Sequence, residues 1–512
     1  VKIFDAENIR KGDKYTIEHE PVLGIDLMER AARRCASSIL ADFGQYDSLI
    51  MLCGTGNNGG DGLVIARVLR TYFSQVTVFC VGDKQNLSPD FSVNYSRIAE
   101  SDMAIYWLTE DLGVLPSLLN NPGVIVGDAL LGSGLNKPIA DSIYAKVIEH
   151  INHAGKPVFS VDMPSGLFAD SNRHIESKSS VVKAVRTYTF EQPKLSFLFA
   201  ENNPFTGEIQ VIPIGIHPRF KEKTHTDIYY VTAGDAAELA KPVNPFSHKG
   251  TFGHSLLIGG SVGKSGAIAL SARASVKSGS GLTSVILPEK IIPIIQGNVP
   301  EAMCIGNSGS EFIERIPVKT DSFSAVGIGP GLGTEKESGN VLKNLITGFQ
   351  GPKVLDADAL NLLSENKTWL RFLNSDTVLT PHPKEFDRMT GTHVSGYERW
   401  KTQVEFSKKM GVYVILKGRY TQITTPFGKT FFNSSGNPGM ATGGSGDVLT
   451  GLLTGLLAQG FPMIDACLLG VYLHGLAGDI AFRKKGREAL TANDIIESFS
   501  EAFKKIHELK RM

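Results

Sequence analysis

From residue 49 onward, short apolar runs rich in β-branched residues alternate with amphipathic stretches: runs at 49–53, 76–81, 104–107, 124–126 and 158–161, amphipathic segments at 63–72 and 145–151. Strand and helix in turn predict a mainly parallel, doubly wound sheet. Residues 5–41 read as helices packed on that sheet, and 187–190 and 208–212 as its last strands. Around 215–229 the periodicity lapses into His217, Pro218 and the charged run 221–224. A second alternation then begins, with strands at 255–258, 282–287, 325–328, 354–356 and 377–380, helices at 267–277 and 338–346, a strand at 412–416 and a hairpin at 422–432; helices close the chain. The fold class is therefore α/β with two domains, 1–215 and 227–512, joined by a linker at 216–226. No period of 20 to 50 residues is visible, which excludes a solenoid.

The length of 512 residues fits two unequal domains better than one core. Lys plus Arg and Asp plus Glu balance at 52 each, so no global field favours nucleic acid or an acidic membrane. The five cysteines (Cys35, Cys53, Cys80, Cys304, Cys467) are scattered and lack a C-x-x-C pair, which argues against zinc or a disulfide framework and fits the cytoplasm. The most apolar late segment, 463–482, carries Asp465, His474 and Asp479, and no membrane span is expected.

In the first half, residues 54–59 satisfy G-x-G-x-x-G between a strand and a helix, and Asp83 follows the next strand as a ribose-binding acid would. The motif continues as Asn57, Asn58, Gly59, Gly60, Asp61 and Gly62, so an acid stands where a pyrophosphate would lie. Its repulsion weakens the dinucleotide reading. Asp128 and Asp162 end later strands, the latter followed by Met163, Pro164, Ser165 and Gly166. The carboxyl ends of parallel strands converge on one crevice, and these acids with Asn58 and Ser165 make an oxygen-rich cluster suited to a hard cation and a hydroxyl-bearing substrate. A single Asp at such a place more often just caps a turn.

These residues resemble the NAD(P)H-hydrate epimerase family, whose N-N-G-G-D-G, D-A-[LI]-[LF]-G and D-x-P-S-G segments occur in order over about 1–215, together with Phe4–Glu7 and Leu27–Ala31. The resemblance implies potassium bound by Asn58, Asp128 and Ser165. It implies substrate contacts at Asn57, Asn58, Gly59, Gly60, Asp61, Gly132, Ser133, Gly134, Leu135, Asn136, Lys137, Pro138 and Asp162. The substrate would be reduced nicotinamide with water added across C5=C6, a hemiaminal at C6, and Asp162 is the expected proton carrier for its epimerisation.

The second half carries its densest signal at 437–447, where four glycines and two hydroxyls precede Asp447 and an apolar helix. Such a loop leaves N–H groups uncovered at a helix N-terminus, where phosphate binds, and an acid beside it suits proton removal from a substrate hydroxyl. A bland alternative is an Asp cap behind a flexible loop. Residues 259–265 look like a P-loop but are one residue short, since the first glycine would be Ile258. The 327–333 loop, with Pro330 among its glycines, also ends a strand. His382 sits between Pro381 and Pro383 after another strand, and Lys417 to Thr421 supply cations and N–H groups. His150 and His153 have metal-like helical spacing but no third ligand, and are read as surface.

With 248–254, 355–360 and 380–385, these segments are similar to the NAD(P)H-hydrate dehydratase family, over about 227–510. The resemblance implies a ribokinase-like fold for the second domain and a Rossmann-like first. It implies ADP as co-substrate, with Mg2+, giving AMP and phosphate. Nucleotide contacts would be Lys417, Gly418, Arg419, Tyr420, Thr421, Asn437, Pro438, Gly439, Met440, Ala441, Thr442, Gly443, Gly444, Ser445 and Gly446; hydrate contacts Ala267, Gly331, His382, Pro383, Lys384, Glu385, Phe386, Asp387, Arg388 and Asp447. Lys384 and Phe386 depart from the usual pattern. Together the two resemblances imply repair of hydrated NADH and NADPH, with Asp162 and Asp447 as catalytic acids, small-molecule partners only, and a homo-oligomer. The rivals are a ribokinase-like small-molecule kinase and a scaffold use of the N-terminal fold.

Overall fold

The computed structural model describes residues 1–172, 180–307 and 311–511. Contacts divide the chain into two units, Lys2–Thr226 and Asp227 onward; Val1 groups with the second and 395–397 with the first. Residues 216–226, expected to lack an apolar face, instead include the Pro218–Lys223 helix, whose Phe220 is buried in the same core as Phe4 and Ile216. Sparse periodicity hid it, because Ile216 and Phe220 are the segment's two residues in that core.

The first unit holds a seven-stranded sheet built from β1 (Ser48–Gly54), β2 (Gln75–Val81), β3 (Ala104–Leu108), β4 (Val124–Ala129), β5 (Val158–Val161), β6 (Arg186–Phe190) and β7 (Glu208–Ile212). Its order is β3-β2-β1-β4-β5-β6-β7 and every pair is parallel. Helices cover both faces, which is why the strands read as continuous apolar runs. Along β1 the side chains alternate: Leu49, Met51 and Cys53 enter one core, Ile50 and Leu52 the other.

The second unit holds ten strands: β8 (Ile228–Val231), β9 (His254–Ile258), β10 (Leu282–Pro288), β11 (Met303–Asn307), β12 (Ala325–Ile328), β13 (Lys353–Leu355), β14 (Thr377–Leu379), β15 (Tyr413–Leu416), β16 (Gln422–Thr424) and β17 (Thr430–Asn433). Their order is β11-β10-β9-β12-β13-β14-β15-β16-β17-β8. Among the described residues only the β15-β16 and β16-β17 pairs are antiparallel, so the hairpin read from 422–432 stands near one edge of an otherwise parallel sheet, with β8 outside it. The sequence reading missed β11 and the helix Pro383–Thr390. β11 is a half-exposed outer strand whose apolar run is only four residues long, and the helix begins at a proline that reads as a breaker.

Strand order reverses between β1 and β4 in one sheet and between β9 and β12 in the other, which opens a crevice at the carboxyl ends of those strands. In the second unit the helices Ser265–Lys277 and Ser445–Ala458 both start near this end and pack backbone to backbone along their length. A Cβ at Gly451 would run into the Ser271 carbonyl, and one at Gly455 into the Ser278 hydroxyl. The Met463–Lys485 helix is apolar and long enough to span a bilayer by composition, but 67% of its apolar window is buried inside the unit, as in a core helix. Gly451→Ala is expected to lower stability by about 1–3 kcal/mol through overpacking; a denaturant midpoint equal to that of the parent would refute this close approach.

Candidate functional sites

A cavity of about 670 Å³ opens at the switch point of the first sheet. Its wall includes Gly56 to Asn58 and Asp61 after β1, Leu130 to Asn136 after β4, and Asp162 after β5. Of the expected substrate contacts, Gly59, Gly60, Lys137 and Pro138 do not line it, and neither does Asp83. Gly59 is instead pressed against the Gly54 carbonyl, where a Cβ has no room. The Asp83 carboxylate accepts from Gln85 N at 2.9 Å, closing its own turn.

Asp162 adopts φ 61°, a conformation rare outside glycine, and is buried. Its Oδ1 accepts from Lys194 Nζ at 2.6 Å and Phe190 N at 3.2 Å. Lys194 is 1% exposed and also donates to Thr189 Oγ1 at 3.0 Å. An ammonium so deeply buried is held by its partner carboxylate. Sequence reasoning missed Lys194, which lies on an irregular segment after β6; the only signal was a lysine in an otherwise apolar stretch. Two further acids share the cavity wall. Burial first, then the neighbouring Asp162 charge, pushes the Asp61 carboxyl well up and raises Asp13 to about 7.

Asp128 is fully buried beside the cavity. Its Oδ1 accepts from Ser165 Oγ at 2.5 Å and Leu130 N at 3.2 Å; its Oδ2 accepts from Ser160 Oγ at 2.8 Å and Ser165 N at 2.9 Å. Burial raises its pKa and these donors oppose the rise. Both amide atoms of Asn58 are buried with no hydrogen-bond partner, against Gly132. A buried amide left unpaired is costly unless something else fills its valence.

In the second unit the Asn437–Asp447 loop leads into the Ser445–Ala458 helix through Gly444 at φ 88°. The loop rests on the Met463–Lys485 helix: Asp479 accepts from Gly436 N at 3.0 Å and Asn437 Nδ2 at 2.8 Å, and Ser445 Oγ lies 3.5 Å from His474 Nε2. Burial lowers His474 to about 4, so its ring is neutral at physiological pH. The sequence marks both only as polar breaks in an apolar segment, with nothing that ties either to a site.

Under the first turn of that helix, Lys417 Nζ donates to Asp356 Oδ1 at 2.9 Å, and Thr450 Oγ1 donates to Asp356 Oδ2 at 2.8 Å. A Cβ on Gly446 would stand 3.2 Å from Lys417 Nζ. Asp447 stands among these charges: burial first, then Asp356, raise its carboxyl to about 7, and Lys417 opposes the rise. His382 caps the Pro383–Thr390 helix, its Nδ1 accepting from Lys384 N at 3.1 Å and Glu385 N at 3.3 Å, and Glu385 Oε2 accepting from His382 N at 2.8 Å. Burial, then Lys417 and Arg388, lower the His382 pKa.

Two expected hydrate contacts are committed elsewhere. The Phe386 side chain is fully buried in the core, and Asp387 is tied to Arg399 at 2.8 and 3.0 Å and to His393 at 2.9 Å. Ala267 and Gly331 do approach each other, since a Cβ on Gly331 would stand 3.4 Å from that of Ala267. The short P-loop-like turn ends at Lys264, which reaches Asp358 Oδ2 at 3.5 Å. Arg419 lies over the Tyr420 ring at 4.8 Å.

A family model described as NAD(P)H-hydrate dehydratase matches residues 255–501, and one described as YjeF-related protein N-terminus matches 24–196. The bifunctional NAD(P)H-hydrate repair enzyme of Thermofilum pendens is 34% identical over 99% of this chain and 96% of its own. The enzyme of the same description from Moorella thermoacetica is 33% identical over 99% of this chain and 97% of its own. Among solved structures, the ADP/ATP-dependent NAD(P)H-hydrate dehydratase of Bacillus subtilis, co-crystallised with ATP and Mg2+, is 27% identical and covers 55% of this chain and 100% of its own, with a TM-score of 0.47.

The raised Asp447 carboxyl has a consequence for stability. Between its ordinary value of 3.8 and the folded value of about 7, the folded state holds the extra proton, so its contribution is favourable in acid and is lost as pH rises through about 7. Asp447→Asn is therefore expected to be more stable than the parent at about pH 8, with the gain shrinking toward about pH 4. Urea midpoints of the two proteins across that range check it; a gain independent of pH would count against a raised Asp447.

Proposed function

The chain belongs to the bifunctional NAD(P)H-hydrate repair enzyme family, and from that membership we propose how its two sites divide the work. The N-terminal cavity interconverts the R and S hydrates of NADH and NADPH. The C-terminal site dehydrates the S hydrate at the expense of a nucleotide. The observation that carries this reading is the coexistence of two separate acid-lined sites, one at the switch point of the first sheet and one at the carboxyl ends of β13 to β15 in the second, in a chain aligned end to end with repair enzymes.

In the C-terminal site, loop 437–446 offers backbone N–H groups at a helix N-terminus to the phosphates of ADP or ATP, and Lys417 adds charge next to the transferring group. Mg2+, when bound with the nucleotide, neutralises charge on the phosphates. Asp447 takes the proton from the C6 hydroxyl as its oxygen attacks phosphorus. With ADP the products of this transfer are AMP and the C6 phosphate ester. The ring nitrogen then expels phosphate, and loss of the C5 proton restores C5=C6. A carboxyl poised at about 7 is suited to this task, being partly ionised at neutral pH.

In the N-terminal site we assign a potassium ion to Asn58, Asp128 and Ser165. What supports it is the chemistry of the donor set: one carboxylate, a hydroxyl and an amide oxygen that is buried without a partner. All are hard oxygen donors, fitting a weakly polarising cation. Such an ion would hold loops 54–61 and 128–134 in register, while Asp162, oriented by Lys194, handles the proton at the C6 hydroxyl.

Asp447→Ala is expected to slow nucleotide-dependent recovery of reduced-nicotinamide absorbance from the S hydrate by about 10²–10⁴-fold while leaving R/S interconversion intact. A rate within about threefold of the parent would remove Asp447 from the chemistry. Replacing potassium with tetramethylammonium should slow interconversion by the parent and have no further effect on Asn58→Ala. Full potassium dependence in that variant would count against the assigned ligand set.

A further inference from the structure

The N-terminal cavity has a wall that none of the strand-end motifs supplies. The helix Ala6–His19 closes it, and from this helix Asp13 faces the cavity together with Asp162 and Lys194. The helix is fixed on either side of Asp13. Gly12 meets the Phe220 ring, where a Cβ would stand 3.0 Å away, and Thr16 Oγ1 donates to Gly12 O at 2.7 Å and accepts from His217 N at 3.0 Å. Gln192 Nε2 donates to Phe4 O at 3.0 Å, tying the segment before the helix to the loop that carries Lys194. Among the described residues no donor or cation is paired with the Asp13 carboxyl, in contrast to Asp162, whose Oδ1 is saturated by Lys194 and Phe190 N.

Epimerisation at a hemiaminal carbon needs an acid for the departing hydroxyl and a base for the water that returns to the opposite face. One group paired to a buried ammonium and one unpaired group on the same cavity meet that need in a way a single carboxyl does not. We propose that Asp13 is the second proton carrier of the epimerase site, working with Asp162 across the C6 carbon of the hydrate. This rests on the epimerase reading of the cavity. Asp13, protonated, gives its proton to the C6 hydroxyl; the C6–O bond breaks, the ring nitrogen lone pair forms C6=N+, and water leaves. Water then adds to the other face, its oxygen bonding to C6 as the C=N electrons return to nitrogen, and the proton it releases goes to the Asp162 carboxylate. The pair ends with one proton moved from the first carboxyl to the second, so the reverse conversion runs through the same two groups. Burial, with Asp162 and Glu191 as neighbouring charges and Lys194 opposing them, holds Asp13 near neutrality, as a group that gives and takes a proton in each cycle requires.

The test uses the full chain and a hydrate preparation enriched in one epimer, without nucleotide, with R and S forms separated by chromatography. Asp13→Asn is expected to lower kcat for interconversion by about 100-fold or more with KM within about threefold of the parent, and Asp13→Glu to recover part of the loss. The parent rate should fall as pH rises above about 7, and this limb should be absent from Asp13→Asn. The groups facing Asp13 that could also titrate or shift it are Asp61, Asp162, Glu191, Lys194, Arg10 and Lys221, so Asp162→Asn is run beside it. Unchanged nucleotide-dependent dehydration by Asp13→Asn shows that the C-terminal half of the chain is intact. A urea midpoint of the variant no lower than that of the parent shows the same for the N-terminal half, and a variant that fails there leaves Asp13→Glu and the pH limb to decide. Interconversion by Asp13→Asn within about threefold of the parent, or a loss confined to KM, would overturn the proposal. A parent enzyme that does not interconvert the epimers at all would overturn the epimerase reading itself, and the proposal with it.

Discussion

Each half of the chain sets a lysine against a buried aspartate in its site, the fully buried Lys194 with Asp162 and the part-exposed Lys417 with Asp356. An ammonium withdrawn from water costs several kcal/mol unless a carboxylate lies against it, so each pair fixes the position of both partners. The consequence falls on the acids that are left over. Asp13 and Asp61 in one unit, and Asp447 and Glu385 in the other, are desolvated without a dedicated cation, and their carboxyls rise. Beside a fixed ammonium, a neighbouring carboxyl is then free to gain and lose a proton.

Sheet topology gathers these groups. Parallel strands deliver their carboxyl ends to one edge, and the reversal of strand order leaves a gap there. The gap admits a ligand only because backbone meets backbone around it: Gly54 against Leu130, Gly329 against Asp356, Gly451 against Ser271. Side chains at these points would prise the loops apart and widen the crevice. The glycines of the motifs therefore serve the packing of these loops and helices.

Groups at strand ends were legible in the sequence, because period and punctuation locate a strand end and the residue after it is then known to face the crevice. That is how Asp128, Asp162 and His382 were singled out, whereas Asp447 was singled out by the glycine loop ahead of its helix. Groups arriving from elsewhere were not. Asp13 lies on a helix with a polar face, Lys194 on an irregular segment, and His474 and Asp479 within an apolar helix; nothing in their local pattern separates them from solvated or core positions. The reverse error also occurs. Phe386 and Asp387 lie in a motif, yet helical geometry turns one into the core and the other toward Arg399. A motif fixes which segment reaches a site, and the helix phase decides which of its side chains does.

The Met463–Lys485 helix joins two properties that are separate in many enzymes. It is the apolar spine of its unit, and through Asp479 and His474 it is also the shelf on which the glycine loop lies. A small slide of this spine, provoked by repacking distant aliphatic contacts, would therefore tilt the glycine loop that rests on it. Under the proposed role of that loop, affinity for the phosphate donor would be coupled to the fit of the hydrocarbon interior and tunable by residues that never meet a ligand.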